Sequence, residues 1–154
     1  MQPPNPFVFP AWQFWPYAMA GGLCIVIGLY FALRPPRRNP WGGTRVRWTY
    51  ADEQIWEATQ RLTGWLCVAA GVGFLLWLPV GIVMVIALAL GATLYARAKY
   101  MAKYGTSRTW HGGKGMIDYR PVAKCPNCGH LNELQSAEDL ALARCEQCRH
   151  PLQK

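Results

Sequence analysis

The chain has 154 residues, of which 52% are hydrophobic and only 16% are charged, and its formal net charge is +8. This composition excludes a disordered chain, a collagen-like chain and an ordinary charged globular domain. Residues 1–100 are strongly apolar and the rest is polar. We therefore predict a membrane domain at 1–100, a basic flexible linker at 101–121 and a small module at 122–154.

The first apolar run predicts a membrane span at 16–34. It carries no charged side chain before Arg34, and about 20 apolar residues match a hydrocarbon core of about 30 Å. A signal peptide is the alternative interpretation, since the Ala-Met-Ala sequence at 18–20 is similar to a cleavage site. No Lys or Arg precedes the run, however, and the apolar stretch follows that site, so we favour a retained helix.

Two further spans are predicted at 62–79 and 80–97, where Pro79 and Gly81 interrupt an uncharged stretch. Proline and glycine fit a tight turn, so we expect a helical hairpin. The fold class is then an all-α membrane protein with three transmembrane helices and a small C-terminal module. The apolar cores of the spans contain no ionisable carboxylate, amine or imidazole, which excludes a proton relay or a voltage sensor. Because no catalytic motif is visible elsewhere, we expect no enzymatic activity.

The positions of the basic residues predict how the chain is oriented. All sixteen Lys and Arg residues lie in 34–61 or in 97–154, and cytoplasmic segments carry the excess of positive charge. The N-terminus is therefore expected outside, and the 34–61 loop and the C-terminus in the cytoplasm. Seven basic residues near the ends of the spans are expected to contact membrane lipids or a protein partner: Arg34, Arg37, Arg38, Arg47, Arg97, Lys99 and Lys103.

The cytoplasmic loop is expected to contain a short helix at the inner membrane interface. Thr49 is suited to cap a helix that begins near Tyr50 and carries Asp52 in its first turn, where the helix dipole favours negative charge. Trp56 falls on the apolar stripe of this helix. We favour an interfacial anchor over a ligand contact as its role.

Two basic features have alternative partners. For Arg45, attraction to lipid phosphate and a pair with Glu53, Glu57 or a partner both stay open. The linker 101–121 could bind anionic lipid, or it could bind nucleic acid with help from aromatic side chains such as Trp110. We favour lipid because the basic residues flank a membrane span, and nucleic acid is the weaker alternative.

A spaced pattern of residues lies between the first span and the start of the second: Asn39, Gly43, Arg45, Thr49, Glu53, Trp56 and Gly64. In these residues the segment resembles the core motif of the SdpI family of membrane proteins. The resemblance extends over about 16–100, although Val46 stands where the family often has Thr. It implies a bacterial cytoplasmic-membrane protein linked to toxin immunity or signalling. Many relatives have six spans, so self-association of a three-span chain is also implied.

The last 30 residues carry a four-cysteine pattern. Cys125 and Cys128 form one Cys-x-x-Cys pair, and Cys145 and Cys148 form a second pair after sixteen intervening residues. This is the spacing of a structural zinc site, in which one Zn²⁺ is closed by four thiolates. A module this short buries little core, so the metal should supply most of its folding energy. An iron site or a redox dithiol is the alternative.

The module also resembles the small zinc ribbon that precedes some bacterial thioredoxins. The shared features are the Cys-Pro-x-Cys-Gly sequence from Cys125, Asn132 and the closing Pro-Leu pair at 151–152. Arg149 stands where the second turn often has Gly. No thioredoxin domain is visible in the chain, so redox activity is not carried over.

Two functions of different classes are compatible with these features. The first is an immunity or signalling protein whose zinc ribbon docks a cytoplasmic protein partner. The second is an accessory structural subunit of a larger membrane complex, favoured by the small size and the many small residues that suit helix packing. A homo-oligomer is compatible with both.

Overall fold

The computed structural model describes residues 11–111 and 118–152, and of residues 11–14 it describes the backbone alone. Four helices come first in chain order: α1 (Ala11–Leu33), α2 (Arg47–Ala51), α3 (Glu53–Leu76) and α4 (Leu78–Tyr104). Three strands and a 3-10 helix follow: β1 (Thr109–His111), β2 (Tyr119–Lys124), β3 (Leu131–Glu133) and Glu138–Ala141. The fold is mostly helical, but the small sheet corrects the expectation of an all-α protein.

The three long helices form one layer in which α3 packs against α1 on one side and α4 on the other. Glycines allow the backbones of α1 and α3 to approach closely. A Cβ atom on Gly28 would lie 2.7 Å from the carbonyl oxygen of Gly64, and one on Gly71 would lie 2.7 Å from that of Gly21. Such small-residue contacts are how membrane helices associate.

The hairpin between α3 and α4 turns at Trp77, two residues earlier than the expected Pro79. Trp77 is extended, and its N–H donates to the carbonyl of Gly73. Pro79 lies in the first turn of α4. The backbone N–H that proline lacks would have no acceptor within the helix at this position, so proline is tolerated there. Proline therefore starts a helix here and does not form the turn.

Two of the described helices are long and apolar enough to cross a membrane by length and composition. They are Trp15–Leu33 and Leu78–Tyr104. The first half of α3 is polar, with charged residues at 53, 57 and 61, and only its second half is continuously apolar. Three membrane-crossing helices are therefore not established by composition, and the third span stays a prediction.

Helix α3 begins at a different cap from the one expected. The carboxylate of Asp52 accepts hydrogen bonds from the N–H groups of Gln54 (2.8 Å) and Ile55 (3.4 Å). Thr49 lies inside α2, and its hydroxyl donates to the carbonyl of Val46. Asp52 holds the cap because its extended backbone separates α2 from α3.

Regular structure fills much of the segment expected to be a flexible linker. Helix α4 continues to Tyr104, where Gly105 ends it in a left-handed conformation with a φ of 69°. Strand β1 and the start of β2 also lie in this segment, and they pair antiparallel with Trp110 opposite Arg120. Residues 112–117 of the expected linker lie outside the described residues.

The C-terminal module packs directly on the ends of the helices. Strand β2 lies at the centre of the sheet and packs against α2 and α4. The Tyr100 hydroxyl of α4 accepts a hydrogen bond from the N–H of Val122 in β2 (2.8 Å). One core therefore continues from the helices into the module. Its buried members are Ala51, Ile55, Ala96, Tyr100, Tyr104, Ala123, Cys125, Leu134, Leu140, Cys145 and Leu152.

Candidate functional site

The loop that joins α1 to α2 is folded around the side chain of Asn39. Its amide oxygen accepts hydrogen bonds from the N–H groups of Trp41 (3.0 Å) and Gly42 (2.8 Å), which is a turn that Asn commonly forms. Its amide nitrogen donates to the carbonyl of Arg37 (2.9 Å). Both polar atoms of the Asn39 side chain are hydrogen-bonded to the backbone, so its role is to shape the loop.

Gly43 and Gln60 fit together at the centre of this loop. Gly43 has a φ of 87°, and a Cβ atom there would lie 2.7 Å from Cδ of Gln60. The fully buried Gln60 accepts from the N–H of Thr44 (3.1 Å) and donates to its carbonyl (3.4 Å). Sequence reasoning missed Gln60. The sequence feature that could have indicated Gln60 is its position one helical turn after Trp56, on the same face of α3.

Trp56 is a core residue of this site, which corrects its expected role as an interfacial anchor. Its exposed fraction is 0%, its indole N–H donates to the carbonyl of Pro36 (2.7 Å), and its ring stacks on Tyr50. Thr49 is also fully buried and donates to the carbonyl of Thr44. In the same loop, 89% of the Trp41 surface is exposed. Aromatic character alone does not distinguish the two tryptophans.

A buried carboxylate joins the start of α3 to the end of α4. Asp52 accepts hydrogen bonds from the Lys103 ammonium (2.7 Å) and the Tyr104 hydroxyl (2.8 Å). Burial acts to raise the pKa of Asp52, but the hydrogen bonds from Lys103 and Tyr104, the charge of Lys103 and the N–H of Gln54 outweigh it. The pKa of Asp52 therefore lies below its ordinary value. Lys103, expected to contact lipid, is the ion-pair partner of this carboxylate.

The other basic residues of the prediction lie at the surface. Arg38 pairs with Glu53, which is one of the two carboxylates considered for Arg45. The Arg45 guanidinium donates to the carbonyl of Pro40 (2.7 Å). The guanidinium of Arg47 lies 4.8 Å from the centre of the Trp48 ring, and that of Arg97 lies 6.0 Å from the same ring. The ammonium of Lys99 faces the ring of Tyr95. The basic residues predicted to contact lipid or a partner that remain exposed are Arg34, Arg37, Arg47, Arg97 and Lys99.

The four predicted cysteines converge. Their sulfur atoms all lie within 4.8 Å of one another. Sγ of Cys125 is 3.6 Å from that of Cys148, and Sγ of Cys128 is 3.5 Å from that of Cys145. A zinc tetrahedron with Zn–S bonds of about 2.3 Å has edges of about 3.8 Å, whereas a disulfide is about 2.0 Å long. The cluster therefore fits a metal ion held by four thiolates.

Two similar turns carry these cysteines. The N–H of Cys125 donates to the carbonyl of His130, and the N–H of Cys145 donates to that of His150, both at 2.8 Å. Gly129 ends the first turn with a φ of 76°, and Arg149 occupies the equivalent place with a φ of 58°. The second turn therefore keeps the geometry of the first, although its residue is not glycine.

Backbone groups favour thiolates in the cluster. Burial acts to raise the pKa of Cys145, but the N–H groups of Cys148 and Gln147 lower it to about 6. The N–H of His130 acts to lower the pKa of Cys128, yet desolvation and the other sulfurs raise it to about 12. A metal ion on all four sulfurs would displace the remaining protons.

Asn132 supports the cluster from β3. The buried amide nitrogen is 3.7 Å from Sγ of Cys145, and the amide oxygen accepts from the N–H of Glu146 (2.9 Å). Such contacts hold metal ligands in place and tune the charge on sulfur. This residue belongs to the set that resembles the ribbon found before some thioredoxins, although no comparison links the chain to thioredoxins.

Comparison with known protein families identifies one segment of the chain. Residues 36–96 match the SdpI/YfhL protein family. No curated protein and no solved structure matches the chain significantly. The match covers less than half of the chain, and it begins in the folded loop and ends within α4.

The SdpI/YfhL segment contains the whole loop core and excludes the four cysteines. Asn39, Gly43, Thr49, Trp56 and Gly64 all lie in it. The first four build the loop core, and Gly64 provides the close contact with α1. The partners of Asp52 and Val122 on α4, by contrast, follow the segment. The last turns of α4 therefore join the segment that matches the SdpI/YfhL family to an extension that carries four converging cysteines.

Proposed function

We propose that the protein is a non-enzymatic, SdpI-like protein of the bacterial cytoplasmic membrane with a role in immunity or signalling. The match of 36–96 to the SdpI/YfhL family carries this proposal. The side chains of the loop core support it, because the motif residues Asn39 and Thr49, together with Gln60, form hydrogen bonds to the loop backbone. They act as a scaffold and do not form an open catalytic cluster.

The proposed topology has three spans, an external N-terminus and a cytoplasmic C-terminus. The spans are α1, the apolar part of α3, and α4. The central place of α3 supports the third span, because a helix packed along both neighbours lies in the same membrane layer. The positive charge in 34–61 and 97–154 supports the orientation. Trp41 is the proposed interfacial anchor, since its side chain is exposed.

Tags on the two termini test this topology. Three spans place the termini on opposite sides, whereas two spans place both on one side. An N-terminal epitope should be cleaved by protease added to intact spheroplasts, and a green fluorescent protein at the C-terminus should fluoresce. Protection of the epitope together with a fluorescent C-terminus would contradict the third span.

The zinc ribbon is proposed to hold one structural Zn²⁺ and to present a docking face to a cytoplasmic protein. Four thiolates leave no open position on zinc, which favours a structural ion. The face toward α4 is already covered by the chain itself, so a partner would use the opposite side. Leu142, with 89% of its surface exposed, is a large apolar side chain of the module that a partner could contact.

Purification from the native membrane in a mild detergent tests the docking role. Mass spectrometry and zinc analysis are made on one sample, for the native chain and for L142E. We expect one zinc per chain in both, and loss of a soluble regulator in L142E only. A fixed set of membrane subunits, retained by both chains, would instead favour an accessory subunit of a larger complex. A zinc content well below one would contradict the ribbon.

A further inference from the structure

We propose that a cavity between the SdpI/YfhL segment and strand β2 binds a phosphate group. The cavity has a volume of about 360 Å³ and is lined by Arg45, Arg47, Tyr50 and Tyr119. Sites for small ligands span about 300–1,000 Å³, so this one suits a phosphate with a small substituent. The site lies outside the four-cysteine cluster and borders the loop core, and its lining comes from both the matched segment and strand β2.

The charge of the lining selects an anion. Two of the four lining residues carry guanidinium groups, and none of the four carries a carboxylate. A guanidinium donates two parallel hydrogen bonds to a carboxylate or a phosphate. A carboxylate has two oxygen atoms and is satisfied by one such group. A phosphate has more oxygen atoms and can accept from both arginines at once, so the pair favours phosphate.

Both guanidinium groups are held in place by the chain. Arg45 donates to the carbonyl of Pro40 (2.7 Å), and Arg47 lies 4.8 Å over the ring of Trp48. Groups that are already positioned lose less conformational entropy on binding. The arginines therefore form a prepared site, in contrast to lysines that move freely at a surface.

The two tyrosines form the walls of the cavity. Their rings are nearly parallel, with an interplanar angle of 10° and 6.3 Å between centroids. Tyr50 is fixed because it is buried and its hydroxyl donates to the carbonyl of Asn39 (3.2 Å). Tyr119 belongs to β2, so the cavity is complete only when the sheet is packed on α2. A bound phosphate would consequently stabilise that packing.

The phosphate could belong to a lipid headgroup or to a soluble metabolite. The lipid source rests on the membrane placement proposed above, whereas the soluble source does not. Two measurements on the full chain distinguish the sources. Native mass spectrometry counts phosphatidylglycerol retained from mixed phosphatidylcholine micelles. Thermal unfolding in phosphatidylcholine nanodiscs, titrated with inorganic phosphate or glycerol phosphate, reports the soluble ligand.

The variants are R45Q/R47Q and a matched control, R34Q/R37Q, which removes the same charge from exposed residues that follow α1. We expect R45Q/R47Q to weaken binding about tenfold or more, and the control to change it little. Y119A removes one wall without changing the charge and should also weaken binding. A zinc content equal to that of the native chain shows that the module of a variant is folded. If Y119A has a lower zinc content, the comparison of R45Q/R47Q with its control tests the site without it.

Each outcome decides the proposal. Loss of retained phosphatidylglycerol in R45Q/R47Q alone supports a lipid headgroup, and loss of the stabilisation by soluble phosphate in that variant alone supports a soluble ligand. Equal losses in R45Q/R47Q and R34Q/R37Q would mean general attraction to positive charge and would overturn the site. If neither phosphatidylglycerol nor soluble phosphate binds, the proposed phosphate site is overturned as well. The membrane topology is unaffected by this result, because the tags on the termini test it separately.

Discussion

Gly43 shows at the scale of one residue why the loop motif needs glycine. Its left-handed backbone costs an ordinary residue about 1–2 kcal/mol, and a Cβ atom would press on the buried amide of Gln60. We expect G43A to lower the free energy of unfolding by about 2 kcal/mol or more. Thermal unfolding in detergent measures the change.

The neighbouring glycine is the control for this variant. A Cβ atom on Gly42 would meet its nearest atom, Oδ1 of Asn39, only at 3.8 Å. G42A should therefore unfold close to the native temperature. Equal destabilisation by both substitutions would mean that the loop merely needs flexibility and that the fit to Gln60 is unimportant.

Asp52 is the second residue whose environment gives a measurable expectation. Breaking a buried ion pair costs about 3–5 kcal/mol, and the Lys103 side chain is 29% exposed. We therefore expect D52N to lose about 2 kcal/mol, a discounted figure because water screens the lysine. The loss is measured as the free energy of unfolding at neutral pH.

The pH dependence of this loss has a definite sign. Because the folded pKa of Asp52 is lowered, its contribution is present above the unfolded pKa of about 3.9 and disappears as the pH falls below it. The difference in stability between the native chain and D52N should be constant from about pH 8 to 5 and shrink below about pH 4. The difference is the quantity to follow, since acid also displaces metal from thiolates. A difference that changes near neutral pH would contradict this account.

At the scale of helices, the contact between α1 and α3 depends on glycine at 64. A Cβ atom there would lie 2.6 Å from the carbonyl oxygen of Gly28 and would separate the helices. Overpacking of this kind costs about 1–3 kcal/mol, so G64A should unfold at a lower concentration of denaturing detergent. G22A is the matched control, because nothing lies within 4 Å of its added Cβ. Similar behaviour of the two variants would mean that α1 and α3 do not pack in this register.

The same elements show what the sequence can and cannot predict. Long apolar runs anticipate the long helices, and the Cys-x-x-Cys spacing anticipates the converging sulfurs. Local patterns do not reveal that Lys103 meets Asp52, because the two residues are far apart in the chain and either could face lipid. Nor do they separate the buried Trp56 from the exposed Trp41, since both are aromatic residues near a predicted span.

At the scale of the whole molecule, one hydrogen bond links the four-cysteine module to α4, and a second bond links the same end of α4 to α3. Val122 of β2 donates to Tyr100, and Tyr104 on the next turn of α4 donates to Asp52 at the start of α3. The buried cysteines belong to the same core as these tyrosines. The C-terminal end of α4 is therefore packed on the module, and its hydrogen bond from Val122 exists only when β2 is folded.

Removal of the metal should consequently loosen more than the module. We expect a chelator to increase amide hydrogen exchange in 122–152 and also in 49–55 and 98–104, because the metal supplies much of the folding energy of such a short module. Helix α1 has no contact with the module among the element pairs that pack together, so its exchange should not change. Y100F removes the hydroxyl that accepts from Val122 and should make the helix ends looser before chelation. An increase confined to 122–152 would mean that the module is tethered to the helices without being coupled to them.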